Sequence, residues 1–258
     1  MELTRRPKSA RRRRLAVVAT LMIAGSATAT TAALAPSDSA GAACKKYTFI
    51  GVPGTNEGYR HNKNLPYGKH VGQIRSAFLS KVGSSNVQSY YIDYMANANY
   101  ATSEADGRNK LRAKVKAVRS SCGSTTKFVL AGYSQGAHVV GDILLEISRS
   151  GGPAPLSSLK KGILIGSPMF NKNNTSVSRW VGGKGTGAPF WGFRSWPSSL
   201  NGKVLDICIK TDPICDGTVG SFIGWAAGAK TAHGDYGTRK YTGSSYVITK
   251  WAGVWLGT

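Results

Sequence analysis

One stretch of the chain changes from a strand-like to a helix-like pattern around a single serine that has a glycine two positions before it and two after it. Residues 128–131 are a short, continuous apolar run, which predicts a buried strand. Residues 137–147 repeat apolar side chains at helical spacing. Between them, Gly132 to Gly136 reads G-x-S-x-G with Ser134 at its centre, and in this context the pattern indicates a nucleophile elbow. A plain turn is the alternative, so the rest of the chain must decide.

Strand and helix patterns alternate along the rest of the chain. This alternation predicts an α/β fold in which a mostly parallel central sheet has helices on both faces, in a single domain without a lid domain. Residues 171–202 are long, rich in glycine and serine, and are predicted as a functional or flexible loop. The other predicted strands lie at residues 45–54, 87–95, 161–170 and 203–210, and the other predicted helices at residues 71–82, 104–119 and 245–256.

Residues 1–43 have the pattern of an export signal with a short leader. Seven cations among residues 5–14 precede an apolar, alanine- and threonine-rich segment, and small residues follow, with cleavage expected after Ala35 or near Ala43. The apolar segment is too weakly hydrophobic for a membrane anchor, and its paired arginines leave a twin-arginine route open. We therefore expect residues 1–43 to be removed and residues 44–258 to form one domain with a large core.

Four cysteines would remain after removal of the leader: Cys44, Cys122, Cys208 and Cys215. An even number of cysteines in an exported chain favours two disulfides, and three pairings are possible. Cys208 and Cys215 are close in sequence, and pairing them leaves Cys44 for Cys122. A metal site is not predicted, because neither C-x-x-C nor a paired His/Cys spacing occurs.

The chain is strongly basic, with a formal net charge of +22. The basic n-region accounts for only part of this charge, and six further cations fall within residues 108–119, on the predicted solvent faces of a helix. We do not predict nucleic-acid binding, because an exported chain has little access to nucleic acid and no recognised binding motif accompanies the charge. Association with an anionic envelope or polymer is the preferred interpretation.

A nucleophilic serine needs a general base and an acid that orients the base. In this type of fold the three residues follow in the order serine, acid, histidine. His61 and His70 precede Ser134, and His138 lies on the elbow helix itself, where we interpret it as structural. His233 alone has the required order, so it is the predicted base.

Three aspartates after the last clear strand are candidates for the acid. Asp206 lies within the predicted strand, whereas Asp212 lies past the strand end, where parallel sheets place their sites. A bond between Cys208 and Cys215 would clamp the loop that contains Asp212. Asp216 lies just outside this loop and is expected to point into solvent. Asp212 is therefore the predicted acid, although the sequence Asp-Pro would also suit an ordinary turn.

The predicted oxyanion hole uses two backbone N–H groups. One belongs to Gln135, the residue after the nucleophile, and the other to Thr55 in the early loop V-P-G-T-N-E. An ordinary turn is the alternative interpretation of that loop. A groove for the acyl chain is predicted at Val219, Phe222 and Ile223, for which core packing is the alternative.

Several motifs together resemble those of the cutinase family of secreted serine esterases. The stretch GYSQGA matches the family's elbow, and PGTNE resembles its oxyanion loop. The resemblance spans roughly residues 44–256. Two further family motifs are C-x-x-x-D-x-x-C-x-G, at Cys208, Asp212, Cys215 and Gly217, and H-x-x-Y-G, at His233, Tyr236 and Gly237.

The resemblance implies an esterase with a shallow, exposed site and with Cys44 and Cys122 in the family's long disulfide. Ser134 would attack the ester carbonyl, His233 would carry the proton, and Asp212 would orient the imidazole. The expected substrates are short to medium acyl esters, or a lipid or polyester. Neither a metal nor another cofactor is implied, and we expect a secreted monomer.

Two alternatives remain open. The esterase could instead act on acetylated polysaccharide, phospholipid or mycolate esters of the cell envelope. The chain could also be a non-catalytic, cationic envelope-binding protein on a hydrolase scaffold. The complete Ser–Asp–His order argues against the second alternative, because a protein that has lost catalysis need not keep all three residues.

Overall fold

A computed structural model describes residues 44–185, 191–217, 223–224 and 231–258. Within these residues, six strands form one sheet in which every neighbouring pair is parallel. The strands are β1 (Tyr47–Val52), β2 (Val87–Tyr91), β3 (Lys127–Tyr133), β4 (Leu159–Ile165), β5 (Ser178–Val181) and β6 (Val204–Ile209). Their spatial order is β2-β1-β3-β4-β6-β5. The predicted α/β fold is confirmed.

Helices cover both faces of the sheet. They are α1 (Lys69–Val82), α2 (Tyr100–Cys122), α3 (Gln135–Ile147) and a closing helix, here α4 (Ile248–Leu256). Helix α2 packs beside α3 over one apolar cluster, and α1 packs beside α4 over a second cluster on the other face. The buried stripe Leu111, Val115 and Val118 holds α2 against the core, as its sequence spacing predicts. No helix in the described residues is both long enough and apolar enough to cross a membrane.

The sequence predicted a loop at residues 171–202, but this segment also contains regular structure. They contain the edge strand β5, which pairs with β6, and a short 3₁₀ helix at Ser198–Leu200. Trp196 and Leu200 are buried, whereas Trp191 and Phe193 are exposed. The strand was missed because its four residues are too few to show an alternating pattern. A fifth aromatic residue of this stretch, Phe190, lies outside the described residues.

Two disulfides join Cys44 to Cys122 and Cys208 to Cys215, which is the pairing expected from the sequence. The first ties the segment before β1 to the end of α2, and the second closes the loop after β6. At the other end of the chain, Lys160 and Lys161 at the start of β4 donate hydrogen bonds to Thr258. Both ends of the domain are therefore fixed near the amino-terminal edge of the sheet.

The carboxylate of Asp206 is buried without a compensating hydrogen bond from any described residue. It lies in β6, is fully buried, and neither carboxylate oxygen has a hydrogen-bond partner among the described residues. Burial raises the pKa of Asp206 from an ordinary value of 3.8 to about 7, and the Arg194 guanidinium offsets only part of this rise. The folded protein therefore ionises this carboxyl at a higher pH than the unfolded chain does.

Because the pKa of Asp206 is raised in the folded state, ionisation of this residue lowers the free energy of unfolding as the pH rises. Asp206→Asn removes this effect. Between about pH 4 and pH 7 the folded state holds a proton that the unfolded state has lost, so this residue's contribution to stability falls as the pH rises. We expect Asp206→Asn to gain stability relative to the wild type across this window, by roughly 4 kcal/mol at most. Urea unfolding of both proteins at pH 4, 5.5, 7 and 8 measures this difference. A difference that is constant with pH would contradict the prediction.

Candidate active site

The turn between β3 and α3 has the geometry of a nucleophile elbow. Ser134 adopts φ 54° and ψ −122°, a strained conformation for a residue other than glycine, and α3 begins at the next residue. A β-carbon at Gly136 would lie 2.2 Å from the carbonyl oxygen of Val52, and one at Gly132 would lie 2.3 Å from the carbonyl oxygen of Gly136. Both glycines of the motif are therefore required by close backbone packing rather than by the turn alone.

The structure brings the three predicted catalytic residues into one hydrogen-bonded chain. Nε2 of His233 lies 2.9 Å from Oγ of Ser134, and Nδ1 of His233 lies 2.9 Å from both carboxylate oxygens of Asp212. Asp212 is fully buried, and the other two side chains are nearly so. The arrangement places a base beside the hydroxyl and a carboxylate behind the base, which is the geometry that activates a serine.

Local contacts fix the acid at the carboxyl end of β6. The backbone N–H of Ile214 donates to Oδ1 of Asp212 at 2.8 Å, and the Tyr236 hydroxyl donates to Oδ2 at 2.6 Å. The Cys208–Cys215 bond closes the loop around this carboxylate. The acid is thus held by a hydrogen bond on each oxygen in addition to the imidazole.

The other two candidate acids lie away from the imidazole. Asp206 is within β6, and no hydrogen bond joins its carboxylate to His233. Asp216 is buried and accepts a hydrogen bond from the N–H of Thr211 at 2.8 Å. The expectation that Asp216 points into solvent was wrong, because the disulfide loop turns back on itself and uses this carboxylate to hold its own backbone.

Two buried tyrosines hold the acid and the base. The Tyr133 hydroxyl donates to the backbone carbonyl of His233 at 2.8 Å, and the two rings stack with centroids 4.9 Å apart. Burial, and secondarily the Asp212 carboxylate, raise the pKa of Tyr133 and of Tyr236 well above the ordinary value, so both hydroxyls keep their protons and act as donors. In the sequence, Tyr236 stands out only as part of the H-x-x-Y-G motif, and nothing marks Tyr133, which occupies the variable position before the elbow serine.

Tyr236→Phe is expected to weaken catalysis without affecting substrate binding. The change removes one hydrogen bond to a buried charged group, which is worth about 1.5–3 kcal/mol, and leaves the ring in place. We expect kcat to fall by at least about tenfold while KM stays within about twofold. Steady-state kinetics with a soluble ester, with Tyr241→Phe as the matched control, tests this. A rise in KM at unchanged kcat would contradict it.

The two predicted oxyanion donors lie near Ser134, one at the start of α3 and the other on the loop after β1. Gln135 is the first residue of α3, and its backbone N–H makes no hydrogen bond within the described residues. Thr55 follows Gly54, where a β-carbon would lie 3.3 Å from the Ser134 β-carbon. Neither the N–H nor the hydroxyl of Thr55 is engaged by another described residue. Both donors are therefore available to a ligand at the serine.

Of the three residues predicted to line an acyl groove, the structure describes one. Val219 and Phe222 lie outside the described residues. Ile223 is described, and it is 61% exposed. Its exposure does not fit the alternative of core packing.

His138 belongs to an ion-pair cluster between α2 and α3 rather than to the catalytic chain. Its side chain and the carboxylates of Glu104 and Asp142 approach within 4.8 Å of one another, a spacing that could suit a metal ion. However, Arg194 donates to Asp142 at 2.6 Å, and Arg108 lies within ion-pair distance of both carboxylates. The two guanidinium groups neutralise the two acids, so the cluster offers a divalent cation no net negative charge. Burial, and secondarily Arg194, lower the pKa of His138 to about 4 and keep it neutral.

The fold and the site together define a class. A parallel sheet with a strained serine between β3 and α3, an aspartate after β6 and a histidine near the chain end is an α/β-hydrolase. The chain belongs to the cutinase family, whose model matches residues 43–250. As a member of this family, the protein is a carboxylic ester hydrolase.

Three named proteins similar to this chain are a carboxylesterase, a phospholipase and an acetyl xylan esterase. Carboxylesterase Culp1 of Mycobacterium tuberculosis is 26% identical over 208 residues, which are 76% of this chain and 82% of that protein. Phospholipase Culp4 of the same organism is 28% identical over 206 residues, 79% and 80% of the two chains. The catalytic core of an acetyl xylan esterase from Trichoderma reesei shares the fold, with a TM-score of 0.58 at 20% identity over 83% of this chain and 98% of that one.

Proposed function

We propose that the protein hydrolyses carboxylic esters through Ser134, His233 and Asp212, by way of an acyl-enzyme. The observation that carries this proposal is the continuous chain from Oγ of Ser134 through the imidazole to the buried carboxylate, with each step at 2.9 Å.

The reaction would proceed in two halves. Ser134 Oγ attacks the ester carbonyl while Nε2 of His233 takes its proton and passes it to the departing alcohol. The resulting acyl-enzyme is then attacked by water, which His233 deprotonates in the same way, and the carboxylic acid is released. The backbone N–H groups of Thr55 and Gln135 would stabilise the oxyanion in both halves, and Asp212 would hold the imidazole in the tautomer that accepts the serine proton.

Short to medium acyl esters, or a polyester, are the proposed substrates, with Val219, Phe222 and Ile223 along the acyl chain. The exposure of Ile223 supports an open site that an acyl chain can reach from solvent. Phospholipid is the second candidate, because the relative Culp4 is named a phospholipase and because the strongly basic chain would be attracted to an anionic lipid surface.

We further propose that the protein acts after export, with residues 1–43 removed and residues 44–258 working as a monomeric domain. Two disulfides support this location, because such bonds persist mainly in oxidising compartments. Electrostatic association with an anionic envelope or polymer would follow from the net charge of +22, most of which lies outside the basic n-region.

A fluorophosphonate probe followed by an ester panel tests the proposed function. The probe should label Ser134 covalently, and peptide mapping should find no other labelled residue. Hydrolysis of p-nitrophenyl esters from C2 to C16, together with cutin, acetylated xylan and phosphatidylcholine, then identifies the substrate class. Failure of the probe to label Ser134 in the folded protein would overturn the mechanism, whereas a clear preference for phosphatidylcholine would favour the second candidate.

A further inference from the structure

A second concave surface lies on the face of the sheet opposite α2 and α3. It is a groove of about 910 Å³ that runs beside α1, between this helix with its preceding loop and residues 246–254 of the chain end. None of Ser134, Asp212 and His233 lines it. The groove is therefore separate from the catalytic chain, although both belong to the same domain.

Apolar side chains form much of the groove's walls. Leu65 and Tyr246 are 48% and 39% exposed, and both line the groove, so their exposed apolar surface faces the same concavity. Val254 and Pro66 continue this apolar surface. On α1 itself, Gly72 presents no side chain to the groove, which gives the groove depth.

The charged side chains of the lining are all cationic, and neutral polar side chains lie among them. Lys69, Arg75, Lys81 and Lys250 line the groove, and no aspartate or glutamate does. None of these four forms an ion pair with a described residue, whereas Arg108 and Arg112 on the opposite face are paired with acids. Nε of Arg75 is buried and has no hydrogen-bond partner among the described residues. From Lys69 to Lys81 the cations are spread over about 18 Å of helix.

We propose that this groove binds a fatty-acid anion. The apolar walls would cover the alkyl chain, for which leaving water is favourable, and a cation would pair with the carboxylate. Net charge disfavours a second copy of this chain as the occupant, because two strongly basic copies repel each other. A flat anionic bilayer would touch only the rims of a concave surface, whereas a single chain can lie along its floor.

Binding at this groove requires none of the catalytic residues, so the proposal is tested separately from the mechanism. Fluorescence titration of the purified protein with cis-parinaric acid measures the affinity, and palmitate, hexadecanol and acetate serve as competitors. We expect palmitate to displace the probe at least tenfold better than hexadecanol, which lacks the charge, and acetate, which lacks the chain, to have no effect.

Two variants test whether the probe binds in the groove. A β-carbon at Gly72 would meet only Tyr67, at 3.9 Å, so Gly72→Leu is compatible with the backbone and raises helix propensity while filling the groove. Arg75→Glu reverses one lining charge. Each variant is expected to weaken parinarate binding at least tenfold, and hydrolysis of p-nitrophenyl butyrate should stay within twofold of the wild type.

Matched changes on the exposed face of α2 control for bulk and for net charge. Ala113→Leu and Lys116→Glu should leave parinarate affinity within twofold. Wild-type affinity in Gly72→Leu would overturn the proposal. Equal losses in Arg75→Glu and Lys116→Glu would also overturn it, because the chain's overall charge would then account for binding.

Discussion

Ser134→Ala is expected to abolish ester hydrolysis while the protein remains folded. The change removes only the hydroxyl oxygen that lies 2.9 Å from Nε2 of His233. It adds no bulk, and the β-carbon already tolerates the strained φ of 54° in the native turn. Loss of the nucleophile from such a triad lowers kcat by on the order of 10⁴–10⁶. The remaining kcat is measured by following hydrolysis of p-nitrophenyl butyrate at saturating concentration.

The matched control for this change is the same substitution at a serine outside the site. Ser121 lies on α2, where its hydroxyl donates to the backbone carbonyl of Ala117. Ser121→Ala should retain kcat within twofold, and thermal unfolding should show that both variants are folded. Near wild-type turnover by a folded Ser134→Ala protein would rule out the proposed nucleophile.

Asp212→Asn is expected to lower kcat by roughly 10⁴, the size of effect known for removal of the carboxylate from a serine triad. An asparagine of the same shape would present either a neutral oxygen or an N–H to Nδ1 of His233. With the N–H orientation, the imidazole carries its proton on Nε2 and can no longer accept one from Ser134. The loss should appear in kcat, because the change leaves the shape of the site almost unaltered.

The same substitution at the two neighbouring aspartates is the control. Asp206→Asn and Asp216→Asn are equally conservative, and both residues are buried, so they share any general effect of removing a buried charge. We expect at most about a tenfold change in kcat from either, because neither carboxylate contacts the imidazole. A large loss in one of these two, with Asp212→Asn nearly unaffected, would show that the acid is misassigned.

The order of most elements, and the choice of Ser134, His233 and Asp212 as the candidate triad, were accessible from sequence because each depends on local pattern. Apolar periodicity indicates a strand or a helix, and the serine, aspartate and histidine stand in motifs with fixed spacing. Gln135 was predicted as the residue that follows Ser134, and Thr55 was predicted from the loop after the first strand, which a parallel sheet places at the same edge. No information about long-range packing was needed for these steps.

What escaped prediction depends on contacts between distant segments. Strand β5 is defined by its pairing with β6 rather than by its own four residues. Tyr133 acts through a backbone carbonyl 100 positions away, which no local pattern encodes. Asp216 was misplaced because the path of a disulfide loop decides its burial. The cationic groove lies between α1 and the last helix, so its lining residues are far apart in the sequence and could not be predicted from it.

The positions of Cys44 and Thr258 have a practical consequence for attaching this enzyme to other objects. Cys44 is bonded to Cys122 at the end of α2, and Thr258 accepts a hydrogen bond from Lys160 at the start of β4, so both residues lie at the edge of the sheet opposite Ser134. A fusion partner, an affinity handle or a solid support joined at either end of the domain would therefore face away from incoming substrate. Immobilised through either residue, the enzyme should present the Ser134 edge of the sheet to a particle or a film.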